Sequence, residues 1–240
     1  MTNVPDNSDY AKVNGLEMYY ESHGCDDGRG RPLVLLHGGV LTVDLSFGAV
    51  LPALSAGRRV VAPELQGHGH TADVDRAMTP ANLAGDVVAL LDALGVEQAD
   101  LLGFSLGGLT ALHLALRHPE RVGRLVLAAT QYTQDGYHEE IRTGDHTSPR
   151  MPGQADFQEM SDAYTAVAPQ PERFRDLIAK CTAAAQAPLP WTADDLRDLR
   201  APTLLVIGDT DFVRIEHAAE MQRLTPGPDW PSCRRPRTCR

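Results

Sequence analysis

Four cysteines (Cys25, Cys181, Cys233 and Cys239) are all that this 240-residue chain holds, and none stands in a C-x-x-C pair or at zinc-ligand spacing. That excludes a disulfide scaffold and a cysteine-built metal site, and free thiols in a cytoplasmic protein follow as the expectation. Long apolar runs are lacking too. The longest uncharged stretch, residues 101–116, includes Ser105 and His113 and is too short and too polar to span a bilayer. The first residues, Met1-Thr-Asn-Val-Pro-Asp6, have neither a basic region nor an apolar run, so no signal peptide is expected. Positive charge is in deficit: 22 Lys and Arg face 32 Asp and Glu, for a net charge of −10. An acidic chain repels phosphate backbones, which argues against a nucleic-acid partner.

What remains is an ordinary globular composition, 42% hydrophobic and 22% charged. The length suits one large domain or at most two small ones. Five short apolar runs recur: Leu33-Val-Leu-Leu36, Val60-Val-Ala62, Asp100-Leu-Leu-Gly-Phe104, Leu125-Val-Leu-Ala-Ala129 and Thr203-Leu-Leu-Val-Ile207. Each is apolar without alternation, which is the pattern of a parallel strand covered by helices on both faces. Between them lie helix signals. Thr79-Pro80 reads as N-cap and first-turn proline. Leu83, Val87, Leu90, Leu91 and Leu94 then share one face before Gly95. A second helix runs from Leu106 until Pro119 stops it, and a third covers Ile215 and Leu224. Asn14-Gly15 between two strand-like runs predicts an antiparallel hairpin at the start of the sheet. The fold class is therefore α/β, a doubly wound and mostly parallel sheet. Residues 131–200 interrupt the alternation with polar, helical, proline-containing sequence, and are expected to form a lid.

Gly103-Phe-Ser-Leu-Gly107 matches G-x-S-x-G. On its own it is a weak signal, and a glycine-rich turn with a solvent-facing serine would satisfy it. Here it follows a strand and opens a helix, which is the setting of a nucleophile elbow. Ser105 is then the nucleophile candidate, with Gly103 and Gly107 relieving clashes around the turn. His37-Gly38-Gly39 follows the first parallel strand, where Gly39 N–H and Leu106 N–H can converge as an oxyanion hole. Gly208-Asp-Thr-Asp211 ends a late strand, where an acid belongs in the order Ser, acid, His. Asp211 is preferred over Asp209.

These pieces together resemble the α/β-hydrolase family, in particular its small bacterial esterase-like and haloperoxidase-like members. The resemblance is carried by Leu35-Leu-His-Gly-Gly39, Pro63-Glu-Leu-Gln-Gly-His-Gly-His70, Gly103-Phe-Ser-Leu-Gly-Gly108, His118-Pro-Glu-Arg-Val122 and Ala201-Pro-Thr-Leu-Leu-Val-Ile-Gly-Asp-Thr-Asp211. It implies Ser105 and Asp211 as catalytic, Gly39 and Leu106 as oxyanion donors, and His37, Gly38, Gly103 and Gly107 as supporting residues. It implies a core of residues 1–130 and 201–225 with residues 131–200 as a helical cap, and needs neither metal nor organic cofactor. Glu64 departs from the family's usual Asp. The implied function is a serine hydrolase acting on carboxylic esters or related acyl compounds, with a small-molecule, ester-like substrate and no membrane partner. A non-catalytic protein binding a small ligand or a partner on the same fold is the alternative.

One part of the pattern is missing. The family's base follows one more strand, yet no histidine follows His217. His217 lies six residues past Asp211, inside a predicted helix, and reads as a surface or helix-face residue. Residues 226–240 switch to four Pro, four Arg, two Cys and a Trp. Such a tail cannot supply a central strand or a helix, and reads as a shifted reading frame or truncation. The expectations are impaired catalysis, an absent last strand and helix, and self-association through an exposed sheet edge.

Overall fold

The computed structural model describes residues 5–25, 30–145 and 147–226. The atypical tail, apart from Pro226, lies outside the described residues, as do Cys233, Cys239 and His146. Seven strands form one sheet: β1 (Asn7–Val13), β2 (Leu16–His23), β3 (Leu33–Leu36), β4 (Val60–Pro63), β5 (Ala99–Phe104), β6 (Val122–Ala128) and β7 (Thr203–Val206), in the order β1-β2-β4-β3-β5-β6-β7. β1 and β2 pair antiparallel across Asn14 and Gly15, whose φ values of 47° and 85° suit a type I′ hairpin turn. β2 also runs antiparallel to β4, whereas β4, β3, β5, β6 and β7 are mutually parallel.

Helices α1 (Val43–Phe47), α2 (Leu51–Ser55), α3 (Pro80–Ala93) and α4 (Leu106–Arg117) connect the first four parallel strands, β3 to β6. Thr79 caps α3 by accepting from Asn82 N–H, and Gly95 at φ 65° follows its last turn. Leu83, Val87, Leu90 and Leu91 of α3 and Leu109 and Leu112 of α4 bury against Val34, Leu36, Val61 and Leu101. Val43, Phe47 and Leu51 cover Leu33, Leu35, Val60 and Ala62 on the other face. Successive residues of β3 thus enter opposite cores, which is why that strand is apolar throughout. Each such Leu or Phe contributes about 1.5–3 kcal/mol by leaving water.

β7 departs from the expectation of cover on both faces. Leu204 and Val206 are 52% and 46% exposed, because β7 ends the described sheet and no described helix lies over that side of it. Residues 131–200 carry α5 (Glu139–Thr143), α6 (Gln154–Val167), α7 (Phe174–Gln186) and α8 (Ala193–Arg197), and α9 (Ile215–Leu224) follows β7. α7 is tied down by Lys180, whose ammonium reaches the Asp73 carboxylate at 2.7 Å and the Val74 carbonyl at 2.8 Å. No described helix is long and apolar enough to cross a membrane.

Candidate active site

Ser105 sits between the end of β5 and the first turn of α4, with φ 51° and ψ −113°. A non-glycine residue there is strained by about 1–3 kcal/mol, so its surroundings must over-determine it. They do so from several sides. Ser105 N–H donates to Ala128 O at 2.9 Å, and Ser105 O accepts from Leu109 N–H at 2.9 Å. A methyl group on Gly107 would lie 2.0 Å from Leu36 O, and one on Gly103 would lie 2.3 Å from Gly107 O. Strand and helix therefore approach closely only because both positions lack a side chain, and this is the physical content of the G-x-S-x-G spacing. Ser105 remains partly exposed and lines a cleft of about 420 Å³. Gln134, Tyr137, Ile141, Met151, Pro152 and Phe212 are among the other walls.

The loop after β3 lies against this turn. Gly107 N–H donates to His37 O at 3.0 Å, and Gly38 packs on the Phe104 ring. Gly39 faces Leu106, since a Cβ on it would stand 3.8 Å from the Leu106 Cβ. Among the described residues, neither the Gly39 N–H nor the Leu106 N–H has a hydrogen-bond acceptor. Two unpaired amides beside a helix N-terminus favour developing negative charge. His37 is fully buried, and burial pushes its pKa down to about 3, so the ring is neutral.

Asp211 is held by its own loop. Its carboxylate accepts from Val213 N–H at 2.9 Å and Gly208 N–H at 3.3 Å, while the Arg150 guanidinium donates to its main-chain carbonyl at 2.6 Å. Asp209, by contrast, is exposed. The Tyr137 phenol has its pKa raised, chiefly by burial and in part by the Asp211 charge. Tyr137 is also bridged to Val213. The acid candidate and one wall of the cleft are therefore built together.

His217 lies on a face of α9, one of the two readings its position in the sequence allowed. It is only 2% exposed, not a surface residue, and its ring stacks on Tyr132 at 4.9 Å. Its Nε2 accepts from Tyr132 N–H at 3.3 Å, which occupies the lone pair a base would use. Burial lowers its pKa. Among the described residues, no histidine lines the cleft beside Ser105. Nor, among them, does any group of three or more His, Cys, Asp or Glu stand ready to hold a metal ion.

Sequence reasoning missed several residues. Tyr137, Ile141, Met151, Pro152 and Phe212 line the cleft, yet nothing in their local pattern marks them, because helices and loops of residues 131–200, and the loop after β7 for Phe212, bring them in. Val40 takes φ 65°, a conformation that no pattern suggests for a β-branched residue. Glu64, noted only as a departure, is buried and accepts from the His70 main chain and ring, at 2.6 and 2.8 Å.

Comparison with known proteins agrees with this fold. A family model described as alpha/beta hydrolase fold matches residues 31–176. A 2-hydroxymuconate semialdehyde hydrolase of Pseudomonas sp. strain CF600 is 41% identical over 128 residues, covering 52% of this chain and 45% of that protein. A 2-hydroxy-6-oxo-2,4-heptadienoate hydrolase of Pseudomonas putida is 31% identical over 232 residues, covering 80% of this chain and 76% of that protein. The chain spans less than half the length of the first two curated relatives that it matches. Among solved structures, a hydrolase from Pseudomonas aeruginosa superposes with a TM-score of 0.69 at 26% identity over 92% of this chain and 88% of that one. An enol-lactonase from Burkholderia xenovorans, at 24% identity and a TM-score of 0.68 over 91% of this chain and 88% of that one, shares the fold. By its matched family model, its relatives and its sheet, the chain belongs to the alpha/beta hydrolase fold family.

Proposed function

We propose that the chain is a serine hydrolase acting on carboxylic esters or related acyl compounds, with Ser105 as nucleophile. The observation that carries this reading is the strained backbone of Ser105 at the cleft, beside the unpaired N–H groups of Gly39 and Leu106. The hydroxyl oxygen attacks the acyl carbon, and the carbonyl oxygen becomes an oxyanion held by those two amides. The bond to the leaving group breaks as that group takes up the proton the hydroxyl gives up; water then adds to the acyl carbon, frees the acid and returns a proton to the Ser105 oxygen. Asp211 serves to orient a base, and residues 131–200 act as the cap that shapes the acyl pocket. The relatives' printed activities, on a semialdehyde and on an oxo-dienoate, widen the substrate panel beyond simple esters.

The test is labelling by a fluorophosphonate probe together with hydrolysis of a panel of esters, lactones and oxo-dienoates. Probe attached to Ser105 and lost in Ser105→Ala supports the reading. Absent labelling and absent turnover, at neutral and alkaline pH and with added imidazole, would defeat it.

A second reading is favoured by the histidine-free lining of the cleft among the described residues: a non-catalytic protein that binds a small apolar ligand. Ligand binding without turnover or labelling would select it.

A further inference from the structure

Two buried imidazoles staple the loop after β3 to the loop after β4, and each takes its hydrogen bond from the other's loop. His37 Nδ1 lies 2.8 Å from Gly38 O, and its Nε2 accepts from Leu65 N–H at 2.9 Å. His68 Nδ1 lies 2.9 Å from Gln66 O, and its Nε2 accepts from Val40 N–H at 3.0 Å. A carbonyl oxygen can only accept, so both Nδ1 atoms carry the proton and both Nε2 atoms offer a lone pair. The rings stand 4.8 Å apart, and both residues are fully buried.

The His68 contact falls one residue past the oxyanion-donor candidate. Val40 has φ 65°, and a β-branched residue in that region is a strained outlier. The turn at Val40 brings Gly39 against Leu106 with its own N–H unpaired. Gly39 is bonded to Val40, so relaxation at Val40 would shift the Gly39 backbone relative to Leu106. The Val40 N–H is held by His68, and Cys181 of α7 closes over the same spot, with its Sγ 3.5 Å from His68 Nε2.

We propose that His68 is a positioning residue for the oxyanion pocket: its unprotonated Nε2 fixes the strained Val40 backbone and so aims the Gly39 N–H at Ser105. The inference rests on Ser105 being the nucleophile. It also gives the pocket a defined response to acid. A proton on Nε2 turns the acceptor into a donor and releases Val40 N–H. The groups facing the His68 ring are the His37 ring, the carboxylates of Glu64 and Asp73, and the Cys181 thiol. Burial outweighs the two carboxylates and holds the His68 pKa below its ordinary value, so the release comes at a lower pH than for an exposed histidine. The thiol stays protonated, its pKa pushed up to about 12 chiefly by burial, and adds no charge.

The experiment compares His68→Gln with His68→Phe. The glutamine side-chain oxygen can reach the Nε2 position and accept from Val40 N–H, whereas phenylalanine fills the volume and accepts nothing. The rate of fluorophosphonate labelling of Ser105 is measured against pH with imidazole added, and thermal unfolding is followed in parallel. Loss of one oxyanion donor costs on the order of 10²–10³ in rate, so a misaimed one is expected to slow His68→Phe by about tenfold or more. His68→Gln stays near the unmutated rate and keeps it further into acid, since it lacks the titrating ring. A cooperatively folded His68→Phe that labels at the unmutated rate overturns the proposal, as does an equal loss in both variants. Should His68→Phe not fold, the ring nitrogens of the unmutated chain decide by NMR: Nδ1 protonated and Nε2 bare is expected, and a protonated Nε2 at neutral pH overturns it. An unmutated chain that takes no label at all removes the nucleophile and this inference with it, whereas normal labelling with an indifferent His68 removes only the inference.

Discussion

The backbone amide of Ser105 donates to the carbonyl of Ala128 at 2.9 Å, which makes the serine the last rung between β5 and β6 as well as the first residue outside the sheet. Its strained backbone is therefore held by the same ladder that holds the core. Ser105→Gly is expected to keep the rung, relieve the positive φ and raise stability by about 1 kcal/mol, a rise in Tm of about 2–4 °C for a chain of this size. The same change abolishes probe labelling. Thermal unfolding and labelling, run side by side, check both halves.

Two glycines separate close approach from mere flexibility. Gly107→Ala forces a methyl group to 2.0 Å from the Leu36 carbonyl and is expected to abolish the cooperative fold or cost more than about 3 kcal/mol. Gly85, inside α3, meets nothing closer than Asn14 Nδ2 at 3.9 Å. Gly85→Ala should stabilise by up to about 1 kcal/mol through helix propensity alone. Urea unfolding of the two variants measures the contrast.

Much of this contrast was legible in the sequence, and the reason is physical. Gly103, Ser105 and Gly107 lie within five residues, so local sterics impose their spacing, and Thr79-Pro80 and Asn14-Gly15 announce their turns just as locally. The cleft is different. Tyr137 and Met151 meet Ser105 only through the packing of residues 131–200, and Phe212 through the loop after β7, and no local period encodes either meeting. The sequence leaves His217 open between surface and helix face for a related reason: one helical turn cannot tell which side will meet Tyr132, from a distant loop.

Protonation should bend the stability curve in two opposite ways. His70 has its pKa raised, chiefly by its hydrogen bond to Glu64. Its stabilisation is full below the unfolded histidine value of about 6.5 and is lost as pH rises through the higher folded value. His37, with a folded pKa of about 3, acts in reverse: the unfolded chain binds the proton first, so stability falls as pH drops from about 6.5 toward 3. His68 works in the same sense. Urea unfolding across this range should show an acid limb, and His70→Asn should flatten the alkaline decline while leaving that limb in place.

Among the described residues, no histidine lines the cleft, so none of them offers the Ser105 hydroxyl an imidazole to take its proton. Free imidazole titrates near neutrality and is small enough to enter a space of about 420 Å³. Probe labelling is expected to be slow in buffer and to accelerate in proportion to added imidazole, with no response in Ser105→Ala. A rate indifferent to imidazole would mean that a base is already in place.

Leu204, Val206 and Ile215 are 52%, 46% and 59% exposed, beside a β7 that has one strand neighbour among the described residues. Unpaired edges with apolar side chains associate. Concentration-dependent sedimentation is expected, and Leu204→Lys with Val206→Lys should shift it toward monomer without loss of cooperative unfolding.

The Lys180 ammonium grips Asp73 and the Val74 carbonyl from a helix whose far end, at Ala185 and Gln186, helps to wall the cleft. The latch is thus electrostatic and partly wet, whereas the chamber that it guards is mostly greasy. Dissolved salt weakens the first and hardly touches the second. Ionic strength can therefore loosen the hold on α7 from a distance, while the strained turn and its two unpaired amides keep their shape.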